Sequence, residues 1–164
     1  MLAFDPARLM YLHGLHGSSQ STKAQLLRAA YPTALTPNFT GDLSERLAQL
    51  DAHLGPTSDN WTLVGSSFGG LQATVFALRQ PHRVRQLVLL APALRAEALP
   101  TPLPAPIDVP TVIYHGRSDT VVPLAPTRAV AEQLFAQLTF HVVDDDHALH
   151  ATARQLNWSA IFTA

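Results

Sequence analysis

Apolar positions along the chain alternate between two rhythms. Short unbroken runs that stop at a glycine or a polar group, such as "LMYLHG" (9–14), "WTLVG" (61–65) and "TVIYHG" (111–116), have the character of strands buried on both faces. Between them lie longer stretches whose apolar residues recur at every third or fourth position. In "DLSERLAQLDAHLG" (42–55), Leu43, Leu47, Leu50 and Leu54 share one helical face and Gly55 marks the stop. "KAQLLRAAY" (23–31), "GGLQATVFALRQ" (69–80), "APTRAVAEQLFAQL" (125–138) and a closing "HALHATARQLNWSAIF" (147–162) also read as helices, with Leu134, Phe135 and Leu138 as core. Three more strands complete the pattern: a brief "ALTPNF" (34–39) after Pro32, the longer "VRQLVLLAPAL" (84–94), wholly apolar in its centre and at the expected middle of the sheet, and "TFHVVDD" (139–145).

Strands alternating with helices imply an α/β fold: a three-layer sandwich with a six-stranded, mainly parallel sheet and helices on both faces, in one domain over residues 1–164. In such sheets ligands sit beyond the carboxyl ends of the strands. Polar residues gather at that edge. Ser67 follows the third strand, Asp119 the fifth and His147 the sixth, while the loop "HGLHGSS" follows the first. The only compositional break is Leu99 to Pro110, where Pro100, Pro102, Pro104, Pro106 and Pro110 predict an extended segment.

Composition narrows the function classes. A chain of 164 residues, 47% hydrophobic and 14% charged, has room for one packed core, and a net charge of -1 offers no field to hold nucleic acid or anionic lipid. Its longest apolar run, Leu87 to Leu94, is far short of the ~20 residues of a membrane span, and "MLAFDPAR" lacks the features of a secretory signal. The expectation is a soluble, cytoplasmic protein without nucleic-acid or membrane partners. With 0 Cys, disulfides, thiolate nucleophiles and cysteine-ligated metals are excluded, so chemistry falls to Ser, His, Asp, Glu or Tyr.

The stretch "TLVGSSFGGLQA" (62–73) places two serines at a strand-to-helix turn. A nucleophile elbow needs small residues two before and two after its serine. Ser67 has Gly65 and Gly69 there, whereas Ser66 has Val64 and Phe68, so sterics select Ser67. A serine hydroxyl must hand its proton to a base, usually a histidine oriented by a carboxylate. Asp119 in "YHGRSDTVVP" and His147 in "VVDDDHALH" follow in the expected order of serine, acid and histidine. His150 competes with His147, which is preferred because it sits at the strand end. Asp144, Asp145 and Asp146 are better read as caps of the closing helix than as the acid.

An oxyanion would find the backbone N–H of Phe68 and, in "LHGLHGSS", that of Leu15, with Gly14 and His16 beside the substrate. The pairs His13/His16 and His147/His150 raise the question of a metal. Neither has a carboxylate at a familiar ligand spacing, so neither a metal nor any other cofactor is expected. Lys23, the only lysine, reads as a solvated residue in the first turn of its helix, and His53, His82 and His141 as surface or helix-end residues.

Taken together, "HG" after the first strand, "GSSFGG", "HGRSDTVVP" and "DDDH" resemble the α/β-hydrolase superfamily. "YLHGLHGSSQSTKAQ" and the small size resemble the YqiA-like bacterial esterases and, more distantly, the retinoblastoma-binding-protein-type serine hydrolases. The resemblance implies Ser67, Asp119 and His147 as nucleophile, acid and base, and a small-molecule ester or thioester as substrate. It also implies that the usual leading hairpin is missing and that Ala93 to Val109 is too short for a cap domain. A shallow, open and weakly selective site is the expectation without a lid. The alternative is a low-activity hydrolase-fold protein acting as an interaction module. Oligomeric state, acyl-chain length and the choice among ester, thioester and amide are not encoded in any motif.

Overall fold

Five strands form the sheet of the computed structural model, which describes residues 3–56 and 60–163. They are β1 (Leu9–Leu12), β2 (Trp61–Ser66), β3 (Val84–Leu90), β4 (Thr111–Gly116) and β5 (Leu138–Val143), all parallel and in that spatial order. The sixth strand expected at 34–39 is reduced to a single bridge. Leu35 lies on the outer edge of β1, where its N–H donates to Leu9 O (2.8 Å) and its carbonyl accepts from Tyr11 N (2.9 Å). Pro32 and Pro37 stand on either side without N–H groups, so the ladder has little to extend with.

Helices cover both faces. On one, α2 (Leu43–Leu54), α3 (Phe68–Arg79) and α4 (Leu124–Leu134) pack over Met10, Leu12, Leu63, Leu87, Leu89 and Ile113. On the other, α1 (Thr22–Ala30), α5 (His150–Gln155) and α6 (Trp158–Thr163) accompany Leu9, Tyr11, Val64, Val88 and Leu90. Successive strand residues thus feed opposite cores, which is why the strands read as unbroken apolar runs. A capping box fixes the start of α2: Glu45 N donates to Asp42 Oδ1 (2.9 Å) and Asp42 N to Glu45 Oε2 (2.7 Å).

Two helix boundaries differ from the sequence pattern. α4 ends at Leu134, so Phe135 is core as expected but the half-buried Leu138 begins β5 instead of closing the helix. The closing helix is two short ones. Leu149 adopts a left-handed φ of 51°, which prevents α5 from starting earlier, and extended Leu156 ends it. Asn157 Oδ1 then accepts from Ala160 N (3.1 Å) to start α6. His147 is therefore left in a loop.

The connections set up a crevice. After β1 the chain runs outward through α1 to the Leu35 bridge and returns through α2 on the opposite face to β2, whose own α3 leads on towards β3. The exits of β1 and β2 consequently diverge, and at such a switch point an open α/β sheet leaves space for a ligand.

The last helix is held by sheet side chains. Arg85 donates to Phe162 O (3.0 Å) and Gln86 to Ile161 O (2.8 Å), while the fully buried Phe162 ring packs 4.9 Å from Phe4, 5.4 Å from Tyr31 and 5.8 Å from Trp158 between ring centroids. Phe162→Ala is expected to cost about 3–5 kcal/mol of stability, read as a lower urea midpoint at unchanged slope. A loss within about 0.5 kcal/mol, the range of surface substitutions, would show that α6 is not part of the cooperative core.

Candidate active site

Ser67 sits between β2 and α3 with φ 52° and ψ -114°, a conformation that a side-chain-bearing residue holds only when its surroundings enforce it. They do so through backbone contacts. Ser67 N donates to Leu90 O (3.0 Å), and its carbonyl accepts from Gly70 N (2.9 Å), Leu71 N (3.2 Å) and Ala93 N (3.0 Å). A Cβ on Gly65 would stand 2.6 Å from Gly69 O and 2.7 Å from Gly70 Cα. Gly69 has a different constraint: its Cβ would collide with the Leu12 carbonyl, at the end of the neighbouring strand. The two glycines flanking Ser67 thus serve the bend itself and the docking of α3 against β1.

The bend brings the Ser67 hydroxyl 3.0 Å from Nε2 of His147, whose Nδ1 lies 2.7 Å from Oδ2 of Asp119. Residues from three strand ends meet in one line, with Nδ1–H donating to the carboxylate and Nε2 left to accept from the serine. Asp119 is fully buried, and its Oδ1 accepts from Val121 N (2.9 Å) and Val122 N (2.8 Å). Three donors therefore compensate the desolvated charge. His150 is exposed at the start of α5 and makes no contact with Ser67 or Asp119, although it lines the same cavity.

The three neighbouring aspartates have other tasks. Asp145 Oδ2 accepts from Thr152 N (2.9 Å) and Thr152 Oγ1 (2.8 Å), tying the loop to α5, and Asp146 Oδ1 accepts from Ala148 N (2.9 Å). Burial works against the Asp145 charge, but the hydrogen bonds from Thr152 and Asp146 outweigh it and hold the carboxyl below its usual range. Asp144 is exposed, 4.0 Å from Arg117.

Gly14 and Leu15 lie directly across from the bend, and a Cβ on Gly14 would be 3.5 Å from Cβ of Ser67. The N–H groups of Phe68 and Leu15 make no hydrogen bond among the described residues, and both residues line the cavity over Ser67. Behind this loop lies a buried polar network. His13 Nδ1 donates to Gly14 O (2.7 Å) and its Nε2 accepts from Phe39 N (2.8 Å), which fixes a neutral ring and occupies both nitrogens. Arg46 donates to His13 O (3.2 Å), lies 5.0 Å over the Phe68 ring, and has its own carbonyl bound by Gln72 (2.8 Å).

A family model described as alpha/beta hydrolase fold matches residues 13–106, which hold the Gly14 loop, the Ser67 bend and the strand after it. This chain belongs to the α/β-hydrolase family. No curated protein matches it in sequence. Among solved structures it is similar to a protein of the α/β superfamily from Xanthomonas campestris pv. campestris, at 26% identity and a TM-score of 0.71, covering 92% of both chains. It is also similar to a structure from work on the metagenome-derived lipolytic enzymes LipS and LipT, at 19% identity and a TM-score of 0.76 over 94% of this chain and 92% of that one. Alpha/beta hydrolase domain-containing protein 10 from mouse has 16% identity and a TM-score of 0.73, over 89% and 84%.

This α/β hydrolase has a cavity of about 840 Å³ at the switch point, larger than a capless chain leads one to expect. Ala93, Arg95 and Ala98 wall it after β3, and Val121 and Val122 after β4. Gly14, Leu15, His16, Ser67, Phe68 and His147 all line it, so the sequence pattern brings its candidate residues to one place. Lys23 corrects that pattern. It is only 8% exposed and lines the cavity instead of facing solvent, because the first turn of α1 packs into the crevice that β1 opens. His115 was not legible as a site residue either. Wholly buried on β4, its Nε2 lies 2.9 Å from Val122 O and 3.3 Å from Asp119 Oδ2. Its position two residues after the apolar Ile113 was the one available sign.

Two outcomes follow from this geometry. Gly69→Ala is expected to destabilise the fold by about 1–3 kcal/mol, because the methyl group meets backbone that cannot rotate away, and thermal unfolding measures it. Burial, more than the hydrogen bond to Gly14 can offset and with Arg46 adding to it, lowers the His13 pKa from its ordinary value of 6.5. The folded chain then binds fewer protons than the unfolded one as pH falls below about 6.5, so stability declines there. Denaturation between about pH 7 and 5 is expected to show a shallower decline in His13→Gln than in the wild type; equal slopes would refute the assignment.

Proposed function

We propose that this hydrolase cleaves small carboxylic esters or thioesters through an acyl-enzyme on Ser67. The observation that carries this is the aligned contact of Ser67 Oγ with His147 Nε2 at 3.0 Å and of His147 Nδ1 with Asp119 at 2.7 Å. In this reading Ser67 Oγ attacks the substrate carbonyl carbon while His147 Nε2 takes its proton. The carbonyl oxygen becomes an oxyanion held by the N–H groups of Phe68 and Leu15. Collapse breaks the bond to the alcohol or thiol, which leaves with the proton from His147. Water then attacks the acyl carbon, gives a proton to His147, and the acid departs as Ser67 recovers its hydrogen. Asp119 keeps the ring in the required tautomer and stabilises the imidazolium, and Gly14 and His16 flank the bound acyl group.

The similarity to a structure from work on lipolytic enzymes agrees with ester chemistry. An interaction module would need neither a strained serine nor a buried carboxylate, and both carry an energetic cost.

The test is a fluorophosphonate label on folded protein with turnover of short 4-nitrophenyl esters. Label is expected on Ser67 alone and is lost in Ser67→Ala. Asp119→Asn is expected to lower kcat by roughly 10³–10⁴-fold, since the histidine would then be held in the wrong tautomer. Folded wild-type protein that takes no label would defeat the proposal.

A further inference from the structure

The cavity over Ser67 is charged with one sign. Lys23 and Arg95 line it, and no acidic side chain does so among the described residues. Arg95 is exposed, whereas Lys23 is buried.

Lys23 makes no hydrogen bond or ion pair among the described residues. Asp145 and Asp146 act on its charge from a distance, and neither forms an ion pair with it. Burial outweighs their effect and lowers its pKa from the ordinary 10.5. A buried ammonium without a hydrogen-bond or ion-pair partner is costly, and the two distant carboxylates offset only part of that cost. The position aggravates the cost, because Lys23 occupies the first turn of α1, where the helix dipole opposes a cation and favours an anion. Ser21, the N-cap of that helix, adds a buried hydroxyl that lines the same cavity beside the Tyr11 hydroxyl. An ammonium, a hydroxyl and the first turn of a helix thus border one cavity that no acidic side chain lines among the described residues.

We propose that Lys23 and Ser21 form a subsite for a carboxylate carried by the substrate, so that the cavity takes esters or thioesters bearing a free carboxylate in preference to uncharged ones. One buried point charge and one hydroxyl match a single monoanionic group; a phosphate dianion would leave a second charge uncompensated. The inference rests on the serine-hydrolase reading and adds the substrate class.

Two substrate pairs test it, one for each side of the scissile bond: the 4-nitrophenyl monoester of adipic acid against 4-nitrophenyl hexanoate, and 4-acetoxybenzoate against phenyl acetate. The wild type is expected to favour the carboxylate member of one pair in kcat/KM. In Lys23→Met that ratio is expected to fall by roughly tenfold to a hundredfold, the worth of one charge-assisted hydrogen bond, and Lys23→Arg is expected to restore part of it. A second measurement needs no variant. Because Lys23 is the only lysine, an amine-acylating reagent followed by peptide mass spectrometry reads its accessibility directly, and adipic acid monoamide is expected to protect it where hexanamide does not. Equal turnover of both members in both pairs, a ratio indifferent to Lys23→Met, or acylation indifferent to the monoamide would overturn the subsite and leave the serine hydrolase standing. A folded protein that hydrolyses none of the four and takes no fluorophosphonate would instead remove the reading beneath it.

Discussion

The geometry of the site depends on one close approach of backbone to backbone. α3 begins against the end of β1, with Gly69 so near the Leu12 carbonyl that no side chain fits between them, and Gly65 is closed in by Gly69 and Gly70 in the same way. Parallel pairing of Leu12 with Gly65 puts the two strand ends side by side, so the turn at Ser67 has to be made within a single residue. Its positive φ is the consequence. The strain is balanced locally by the four backbone hydrogen bonds that Ser67 makes, two of which involve Leu90 at the end of the adjacent β3 and Ala93 just beyond it. Moving α3 outward by the width of a methyl group would change the direction of Oγ, and a contact of 3.0 Å to His147 tolerates little of that.

Around this bend the polar groups are fixed by hydrogen bonds from the cavity walls and from residues behind them. The Asp119 side chain is out of contact with water, and two backbone N–H groups and the His147 ring bind it. His115 closes the same ring of contacts through Val122 O and Asp119 Oδ2. On the other wall, His13 and Arg46 hold the loop that carries Leu15, and Arg46 spans to the Phe68 ring on the opposite side of the bend. The loop and the helix start are therefore linked through one guanidinium.

The order of elements and the three aligned side chains were legible in the sequence because each rests on local pattern. Strand character follows from short apolar runs, and the preference for Ser67 over Ser66 follows from which serine has glycines two residues away. What was not legible depends on partners distant in the chain. The run 34–39 has strand composition, yet Pro32 and Pro37 leave it only the Leu35 bridge. The closing helix has helical periodicity through 162, but Leu149 takes a left-handed conformation and Leu156 an extended one, which periodicity does not register. Lys23 has the composition of a surface residue, and only the packing of α1 into the crevice buries it.

A chain this short still encloses a sizeable cavity because its walls come from the strand exits themselves. After β3 the backbone stays close to the sheet, with Ala93 bonded to Ser67 and Leu94 and Leu99 buried, so Arg95 and Ala98 are placed at the cavity by the same segment that supports the bend. The proline-rich stretch beyond it does not fold over the site. It runs to Ile107, whose bridge to Phe135 at the end of α4 fastens it to the opposite end of the sheet from Ser67. Proline suits that path, since a segment bonded to the fold at few points loses little by lacking N–H donors and gains from having fewer conformations to give up on folding. With no covering layer over the site among the described residues, selectivity has to arise from the cavity walls, and their most unusual feature is a buried ammonium that two distant carboxylates offset only in part.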